Sequence, residues 1–108
     1  MGYTVGNKAW KDLERKVGEV IGGKRYPANQ GGFVDVESSK CVAQVKLRQS
    51  LSLEQLTQLV EKIDQVAKEK GKLGLVFVKV RRGKGQPSPL LMVMSATSIG
   101  AYNDLVYE

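Results

Sequence analysis

The sequence contains no histidine and only one cysteine, and these absences exclude most familiar catalytic and metal centres. Without histidine there is no Ser-His or Cys-His nucleophile pair, no histidine-based phosphodiester cleavage and almost no zinc site. Cys41 cannot form an intramolecular disulfide, and its apolar surroundings predict a buried structural thiol. Hydrolytic chemistry in this chain would therefore depend on carboxylates, lysine and a hard metal ion.

A long apolar run is also missing from the chain. No segment approaches the roughly 20 residues that a membrane-spanning helix needs, and the first residues lack the charged-then-apolar pattern of a secretion signal. We therefore expect a cytoplasmic protein with no membrane partner. At 108 residues, with 42% hydrophobic and 26% charged residues, residues 1–108 are predicted to form a single domain around one core.

Positive charge exceeds negative charge, with 17 Lys and Arg against 11 Asp and Glu and a formal net charge of +6. A polyanion is the natural partner of such a surface. Nucleic acid is favoured over a membrane surface, because no strongly basic amphipathic helix with exposed aromatic residues is present. A basic surface without a ligand is the alternative that charge alone leaves open.

Residues 32–48 predict a β-hairpin, because two short runs of β-branched residues flank the pair Ser38-Ser39. If these two serines form the turn, Glu37 lies opposite Lys40 and makes an ion pair with it. A shift of pairing by one residue would exchange the two faces of the hairpin, so its polar and apolar alternation favours a single register.

This hairpin is predicted to have one polar and one apolar face. Because side chains alternate along a strand, Asp35, Gln44 and Lys46 share the polar face. That face offers a carboxylate, an amide oxygen and an ammonium group to a ligand. The opposite face is predicted to pack into the core, and it carries Val34, Val36, Cys41, Ala43, Val45 and Leu47.

A first helix is predicted from Asn7 to the pair Gly22-Gly23, after a frayed arm at residues 1–6, because apolar residues recur at helical spacing. Glu14 lies within the apolar stripe of this helix. Two interpretations remain for it. The carboxylate either sits at the edge of the stripe, in solvent or paired with Lys11, or points inward towards a polar pocket formed by the hairpin.

A second helix is the clearest element of the sequence. Ser52 and Gln55 have the spacing of a capping box, and an amphipathic stripe follows until Gly71. The run Leu73 to Val80 is almost continuously apolar, which is typical of a central strand covered on both faces. A helix between the hairpin and this strand predicts a crossover connection and hence a mixed sheet.

The last third of the chain contains a predicted basic loop at residues 79–89 that has no acidic residue. Leu90 to Met94 predicts a further strand. Thr97 or Ser98 is predicted to cap a short final helix that continues through Leu105. Its residues Tyr102 and Val106 are expected to cover either the core or a partner.

Taken in order, Glu14 on a helix, Asp35 on a strand and Gln44-Val45-Lys46 on the paired strand resemble the PD-(D/E)XK nuclease superfamily. Within it, the order resembles the small archaeal-type Holliday junction resolvases, which have a helix-borne Glu, a strand Asp and a following Glu-x-Lys. The resemblance covers residues 7–94 by element order. It implies an α/β fold with a restriction-endonuclease-like mixed β-sheet flanked by helices, in α-β-β-α-β-β-α order. The chain departs from the pattern at Gln44, where a carboxylate is more usual, and no proline precedes Asp35.

The resemblance also implies metal-dependent, structure-selective cleavage of phosphodiester bonds in branched DNA, with Mg²⁺ as cofactor and Mn²⁺ as a substitute. Asp35, the side-chain oxygen of Gln44 and the main-chain carbonyl of Val45 would hold the ion. Glu14 would reach it through water or hold a second ion, and Lys46 would orient or help to deprotonate the attacking water. An uncharged Gln44 oxygen should bind the ion less tightly and leave it more electrophilic.

The resemblance further implies that the partner is DNA and that the protein acts as a homodimer. The resembling resolvases are homodimers, so two sites would cut opposed strands of a four-way junction. Another nuclease of the superfamily acting on flaps, nicks or ends is one alternative. A non-catalytic nucleic-acid-binding protein, in which Gln44 marks lost metal binding, is the other. Contacts to DNA phosphates, which carry no base identity, are expected from Lys8, Lys11, Arg15, Lys24, Arg25, Arg48, Arg81, Arg82 and Lys84.

Overall fold

Helices and strands alternate along the chain in the computed structural model, which describes residues 2–26 and 32–107, with side chains from 9–26 and 32–105. No helix in these ranges is both long and apolar enough to cross a membrane. The elements are α1 (Gly2–Ile21), β1 (Lys24–Arg25), β2 (Val36–Glu37), β3 (Cys41–Arg48), α2 (Leu53–Lys70), β4 (Leu73–Val80), β5 (Leu90–Val93), a 3₁₀ helix (Ala96–Ser98) and α3 (Ile99–Tyr107).

The strands form one mixed sheet in the order β1-β2-β3-β4-β5. Strands β1, β2 and β3 pair antiparallel, β3 and β4 pair parallel, and β5 returns antiparallel to β4. The α/β class, the crossover and the mixed sheet are thus confirmed. The observed order differs from the predicted one by the short strand β1 and by the 3₁₀ helix before α3.

Apolar side chains fill both faces of the sheet. On one face α1 supplies Leu13 and Val17, and α3 contributes Tyr102, so this part of the last helix covers the core; the side chain of Val106 lies outside the described residues. On the other face α2 supplies Ile63 and Ala67. Cys41 is buried, as predicted. Covering both faces of the central strands explains why β4 reads as a continuous apolar run.

Helix α2 begins and ends as its sequence predicts. The Ser52 Oγ accepts a hydrogen bond from the Gln55 N–H, and the Gln55 Oε1 accepts one from the Ser52 N–H, both at 3.0 Å. Gly71 ends the helix with φ of 66°, a left-handed conformation that glycine adopts without steric cost. The helix therefore joins the C-terminal end of β3 to the N-terminal end of β4.

Two predicted boundaries are wrong. Helix α1 begins at Gly2 and not at Asn7. Gly6 disfavours a helix but does not end one as proline would, and Asn7 lies inside the helix although its side chain suits a cap. At the other end, β5 stops at Val93, and a 3₁₀ turn from Ala96 precedes α3. Ser95 precedes the 3₁₀ turn without a side-chain capping hydrogen bond, and its hydroxyl lies 3.2 and 2.9 Å from those of Thr97 and Ser98. Helix α3 begins at Ile99, directly after the predicted cap Ser98.

The hairpin forms, but its register differs from the prediction by two residues. Glu37 pairs with Val42 and not with Lys40 in the strand ladder. The turn is centred on Ser39-Lys40 and not on Ser38-Ser39, because the Ser38 N–H donates to the Cys41 carbonyl and the Ser38 Oγ accepts from the Cys41 N–H, both at 2.9 Å. A shift of two preserves the alternation of faces.

One member of the predicted apolar face is misplaced. Val34 packs with Val42 and Ile63 under α2, whereas Val36 packs on the α1 side. The reason is that Asp35 lies in a bend and not in a strand, so the alternation of side chains does not extend back from β2 to Val34.

Candidate functional site

Asp35 lies in the bend before β2, and both its main chain and its side chain bind β3. Its N–H donates to the Ala43 carbonyl at 2.9 Å, and its Oδ2 accepts from the Val45 N–H at 2.8 Å. Because β2 begins only at Val36, the Asp35 carboxylate replaces the strand carbonyl that would otherwise accept this hydrogen bond. The predicted strand acid is therefore held beside the middle of β3.

The carbonyl of Val45 faces the same side of β3 as Asp35. Within a strand, the N–H and C=O of one residue point in the same lateral direction, and successive residues alternate. Residues with even numbers in β3 bond towards β4, as the 2.7 Å hydrogen bond from the Arg81 N–H to the Arg48 carbonyl shows. Val45 therefore points its carbonyl away from β4, and the predicted main-chain ligand and the predicted carboxylate lie together.

Gln44 is 6% exposed, and its Oε1 is a buried atom without a hydrogen-bond partner. Across the side chains that the structure describes, no other buried nitrogen or oxygen lacks one. Leaving a buried acceptor unsatisfied costs about 1–3 kcal/mol. Such an atom in an otherwise satisfied structure calls for an explanation, and a bound ion or water is a common one.

Glu14 is 5% exposed and points inward, so the interpretation of an edge carboxylate paired with Lys11 is wrong. Its Oε2 accepts from the Trp10 Nε1 at 2.8 Å, and its Oε1 accepts from the Arg25 Nε at 3.1 Å. Both oxygens are thus engaged by the protein itself. The Glu14 charge still reaches the site, because it contributes to the raised pKa of Asp35.

Two titratable groups of the candidate site, Asp35 and Lys46, have pKa values shifted towards their neutral forms. Burial raises the pKa of Asp35, and the nearby charge of Glu14 adds to that, against the Val45 N–H and Lys46. Burial likewise lowers the pKa of Lys46, and Arg48 and Lys62 lower it further against the opposing effect of Asp35. An acid and a base with such shifts are typical of functional sites.

A second acid, Glu37, serves to join two elements. It accepts hydrogen bonds from Lys70, Lys72 and the Tyr26 hydroxyl, which connects β2 to the C-terminal end of α2. Burial raises the pKa of Glu37, but the three hydrogen bonds outweigh burial and lower it to about 2. No local pattern predicts this cluster, because the two lysines lie 33 and 35 residues away in sequence.

This cluster predicts a loss of stability in acid. A carboxyl group whose pKa falls from 4.5 to about 2 on folding stabilises the fold above pH 4.5 and loses that contribution as the pH falls towards 2, up to about 3 kcal/mol. Glu37→Gln should lower the free energy of unfolding at pH 7 by about 1–3 kcal/mol and flatten its dependence on pH between 4.5 and 2. Urea denaturation at several pH values measures both.

Glu61→Gln is the matched control for this prediction, because Glu61 is an exposed acid on the outer side of α2. It should change neither the stability at pH 7 nor the slope with pH by more than a few tenths of a kcal/mol. A Glu37→Gln variant with the same pH dependence as the wild type would show that the cluster does not stabilise the fold.

The predicted DNA contacts divide into two groups. Arg48, Arg81, Arg82 and Lys84 are exposed at or beyond the C-terminal ends of β3 and β4, where the Arg81 N–H bonds the Arg48 carbonyl. The predicted contact residues nearer the N-terminus differ in their exposure and in their ion pairs. Arg25 is committed to Glu14, and Arg15 forms an exposed ion pair with Asp12 at 3.2 Å. Lys11 and Lys24 are exposed, and the side chain of Lys8 lies outside the described residues.

A groove between β3 and α2 was not predicted from the sequence. It has a volume of about 270 Å³ and begins at Lys46 and Arg48. Lys62 of α2 lies over the ring of Phe33, with 4.5 Å between the Nζ and the ring centroid. From the sequence, a lysine on the polar side of α2 is predicted to be a solvated surface residue. The contact between Lys62 and Phe33 therefore becomes visible only in the folded structure. The remaining lining residues are Leu51, Gln55, Gln58 and Leu59.

The oxygen atoms near Asp35 limit what the site can bind. Within residues 9–26 and 32–105, no three Asp, Glu or Cys side chains are grouped to hold a metal ion. An ion at Asp35 would therefore use amide and main-chain oxygens as well, from Gln44 and Val45. Oxygen donors of this kind suit Mg²⁺. In comparisons with known proteins, no protein-family model, no curated protein and no solved structure matches this chain.

Proposed function

We propose that this protein is a metal-dependent, structure-selective DNA endonuclease of the PD-(D/E)XK type that cleaves branched DNA as a Holliday junction resolvase. The observation that carries the proposal is the buried, unpartnered Oε1 of Gln44. It belongs to the face of β3 that also presents Lys46, and the Asp35 carboxylate accepts a hydrogen bond from the N–H of the next residue, Val45. A divalent cation would coordinate this oxygen. It would thereby offset the free-energy cost of burying the amide oxygen without a hydrogen bond.

Element order supports the proposal. A helix, three antiparallel strands, a crossover helix and a parallel strand follow one another, and the sheet order matches the sequence order. In the proposed restriction-endonuclease-like core, Asp35 would lie in the bend just before the second strand and Gln44 to Lys46 on the third. The short strand β1 completes the three-stranded antiparallel part that the sequence prediction left incomplete.

The residues of the site fit an ion with oxygen ligands. Asp35, the Oε1 of Gln44 and the carbonyl of Val45 would hold Mg²⁺, and Mn²⁺ would substitute. The ion would supply Lewis-acid activation of the scissile phosphate and of a water molecule. Lys46, whose pKa is lowered by burial, is suited to orient that water or to accept its proton. Arg25 and Trp10 hold Glu14 in place, and Glu14 contributes negative charge beside Asp35.

The partner of the proposed activity is DNA, and a homodimer would place two sites on a four-way junction. Arg48, Arg81, Arg82 and Lys84 supply positive charge beyond the C-terminal ends of the parallel strands. Strand β5 is an edge of the sheet, and its Leu91 and Met92 are 47% and 37% exposed. An edge strand with exposed apolar residues is a suitable dimer surface, and the Tyr102 side of α3, which packs on its own core, is less suitable.

One observation favours a second candidate, a non-catalytic nucleic-acid-binding protein. Glu14 has both carboxylate oxygens engaged by Trp10 and Arg25, and Gln44 carries no charge. A site that has lost its metal would retain the basic surface and bind branched DNA without cutting it. This candidate and the nuclease make the same prediction for binding and opposite predictions for cleavage.

Cleavage of defined DNA substrates tests the proposal. The pure protein is incubated with a labelled four-way junction, a matched duplex and a flap, in Mg²⁺, in Mn²⁺ and in EDTA. Paired nicks across the centre of the junction in Mg²⁺ but not in EDTA support a resolvase. Cutting of the flap alone supports another nuclease of the same type, and binding without cleavage in either metal supports the non-catalytic candidate.

The basic loop after β4 predicts a salt effect. Replacing Arg81 and Arg82 by alanine should weaken junction binding and reduce the slope of log affinity against log salt by up to about one unit for each lost phosphate contact. Titrations at several salt concentrations measure the slope. Lys68→Ala, an exposed lysine in the last turn of α2, is the control and should leave the slope unchanged. An unchanged slope in the double variant would show that the loop does not contact DNA.

A further inference from the structure

The groove between β3 and α2 combines positive charge with apolar surface. Lys46, Arg48 and Lys62 line it, and no acidic residue does. Its lining also includes the half-buried side chains of Phe33, Leu51 and Leu59 and the exposed amide side chains of Gln55 and Gln58. The groove lies on the α2 side of β3, and it begins at Lys46 of the proposed catalytic site.

Two of the three cations on this groove have no ion-pair partner within the described part of the chain. Neither Arg48 nor Lys62 forms an ion pair there; the Arg48 Nη1 donates to the neighbouring Leu47 carbonyl, and the Lys62 ammonium lies over the Phe33 ring. Residues 27–31, which precede Phe33 in the sequence, contain no acid either. The ring holds the Lys62 charge at the groove by a cation–π contact, and the exposed lysine side chain can turn from the ring to a phosphate that enters the groove.

The size and the lining of the groove select among anionic ligands. A volume of about 270 Å³ lies just below the usual range for small-ligand sites, so the groove admits part of a single strand and not a duplex. Aromatic and apolar surface beside cations is the combination by which proteins bind single-stranded nucleic acid, because every base offers a face for stacking. A free inorganic anion would make no use of Phe33 or of the two leucines.

We propose that this groove binds one unpaired nucleotide of the DNA strand. The exposed Lys62 ammonium would turn from the Phe33 ring to the phosphate, which Arg48 also contacts, and the base would stack on the ring face that Lys62 leaves. The inference deepens the proposed function and rests on it in one respect: the bound nucleotide would adjoin the phosphate that reaches Lys46. The substrate class that follows is DNA with an unpaired or readily unpaired nucleotide beside the cleavage position. A continuous, fully paired duplex would leave the groove empty.

Binding of a fluorescein-labelled oligothymidylate in EDTA tests the groove separately from catalysis. Phe33→Leu, which retains apolar volume but removes the ring, should weaken binding roughly 5- to 150-fold, the range for loss of one base stack. Lys62→Gln should reduce the salt slope by about 0.7. Lys68→Gln makes the same change on the same helix outside the groove and should alter neither quantity. Thermal melting by circular dichroism checks that each variant is folded, and Lys62, being exposed, should not affect folding.

An oligomer with abasic sites separates base from phosphate. It should bind Phe33→Leu and the wild type equally, while Lys62→Gln should still lower its salt slope. If Phe33→Leu and Lys62→Gln bind the intact oligomer as Lys68→Gln does, the groove inference is overturned, whether or not junctions are cut. If both variants show the expected losses and no substrate is cut in Mg²⁺, the groove inference holds and the nuclease proposal fails.

Discussion

Asp35→Asn is expected to lower cleavage of a four-way junction more than a hundredfold and to leave junction binding near normal. Replacing a residue that only hydrogen-bonds a metal ligand already lowers metal affinity or activity about 10- to 100-fold. Asp35 is proposed to be the charged ligand itself, so the loss should be larger. The fold should survive, because the amide oxygen of the introduced asparagine would still accept from the Val45 N–H that now bonds the Asp35 Oδ2 at 2.8 Å. Single-turnover cleavage in Mg²⁺ and binding in EDTA measure the two quantities.

Asp35→Ala provides the comparison for this variant. It removes the acceptor of the Val45 N–H as well as the charge, so it should lower stability by about 1–3 kcal/mol in addition to abolishing cleavage. Asp35→Asn should not show this loss of stability. Cleavage by Asp35→Asn at a rate near that of the wild type would remove Asp35 from the site.

Gln44→Leu is expected to stabilise the protein and to abolish cleavage at the same time. The two side chains are similar in size, and the Oε1 of Gln44 is buried without a partner, so an apolar replacement should raise the free energy of unfolding by about 1–3 kcal/mol in EDTA. Cleavage should be lost because the replacement has no oxygen for the ion. A substitution that raises stability but abolishes activity is expected at a residue kept for function at a cost in stability.

Gln49→Leu is the matched control, since the Gln49 side chain is exposed just after β3. Its amide is solvated, so the same substitution should give no gain in stability and no loss of cleavage. Urea denaturation in EDTA and junction cleavage in Mg²⁺ are compared across the three proteins. A Gln44→Leu variant less stable than the wild type would show that the Gln44 amide is satisfied in solution and is not held for a ligand.

Local patterns in the sequence predict most of the fold. The capping box at Ser52 and the left-handed Gly71 define α2 within a residue, and the continuous apolar run predicts β4 with its observed bounds. These features depend on neighbours within one turn or one strand, which sequence spacing reports directly. Start signals are weaker, as α1 shows: Asn7 has the chemistry of a cap but lies inside the helix.

The site is harder to predict, because its geometry depends on contacts between distant residues. The alternation of β3 places Gln44 and Lys46 on one face, as predicted, and a register shifted by two residues does not disturb it. The ion pair between Glu14 and Arg25 depends on the two-residue strand β1. The ion pair between Glu37 and Lys70 depends on where α2 ends. No periodicity carries such information, since each pair forms only after the sheet is assembled.

Titration of the ¹⁵N-labelled protein with Mn²⁺, followed by paramagnetic broadening of its amide resonances, tests the central claim most directly. A cation held by Asp35, Gln44 and Val45 should broaden the amide signals of these residues at the lowest Mn²⁺ concentrations, excess Mg²⁺ should reverse the effect, and Asp35→Asn should abolish it. Broadening that is absent, or that begins at exposed acids such as Glu61 and is unaffected by Asp35→Asn, would contradict a metal site on this face of the sheet.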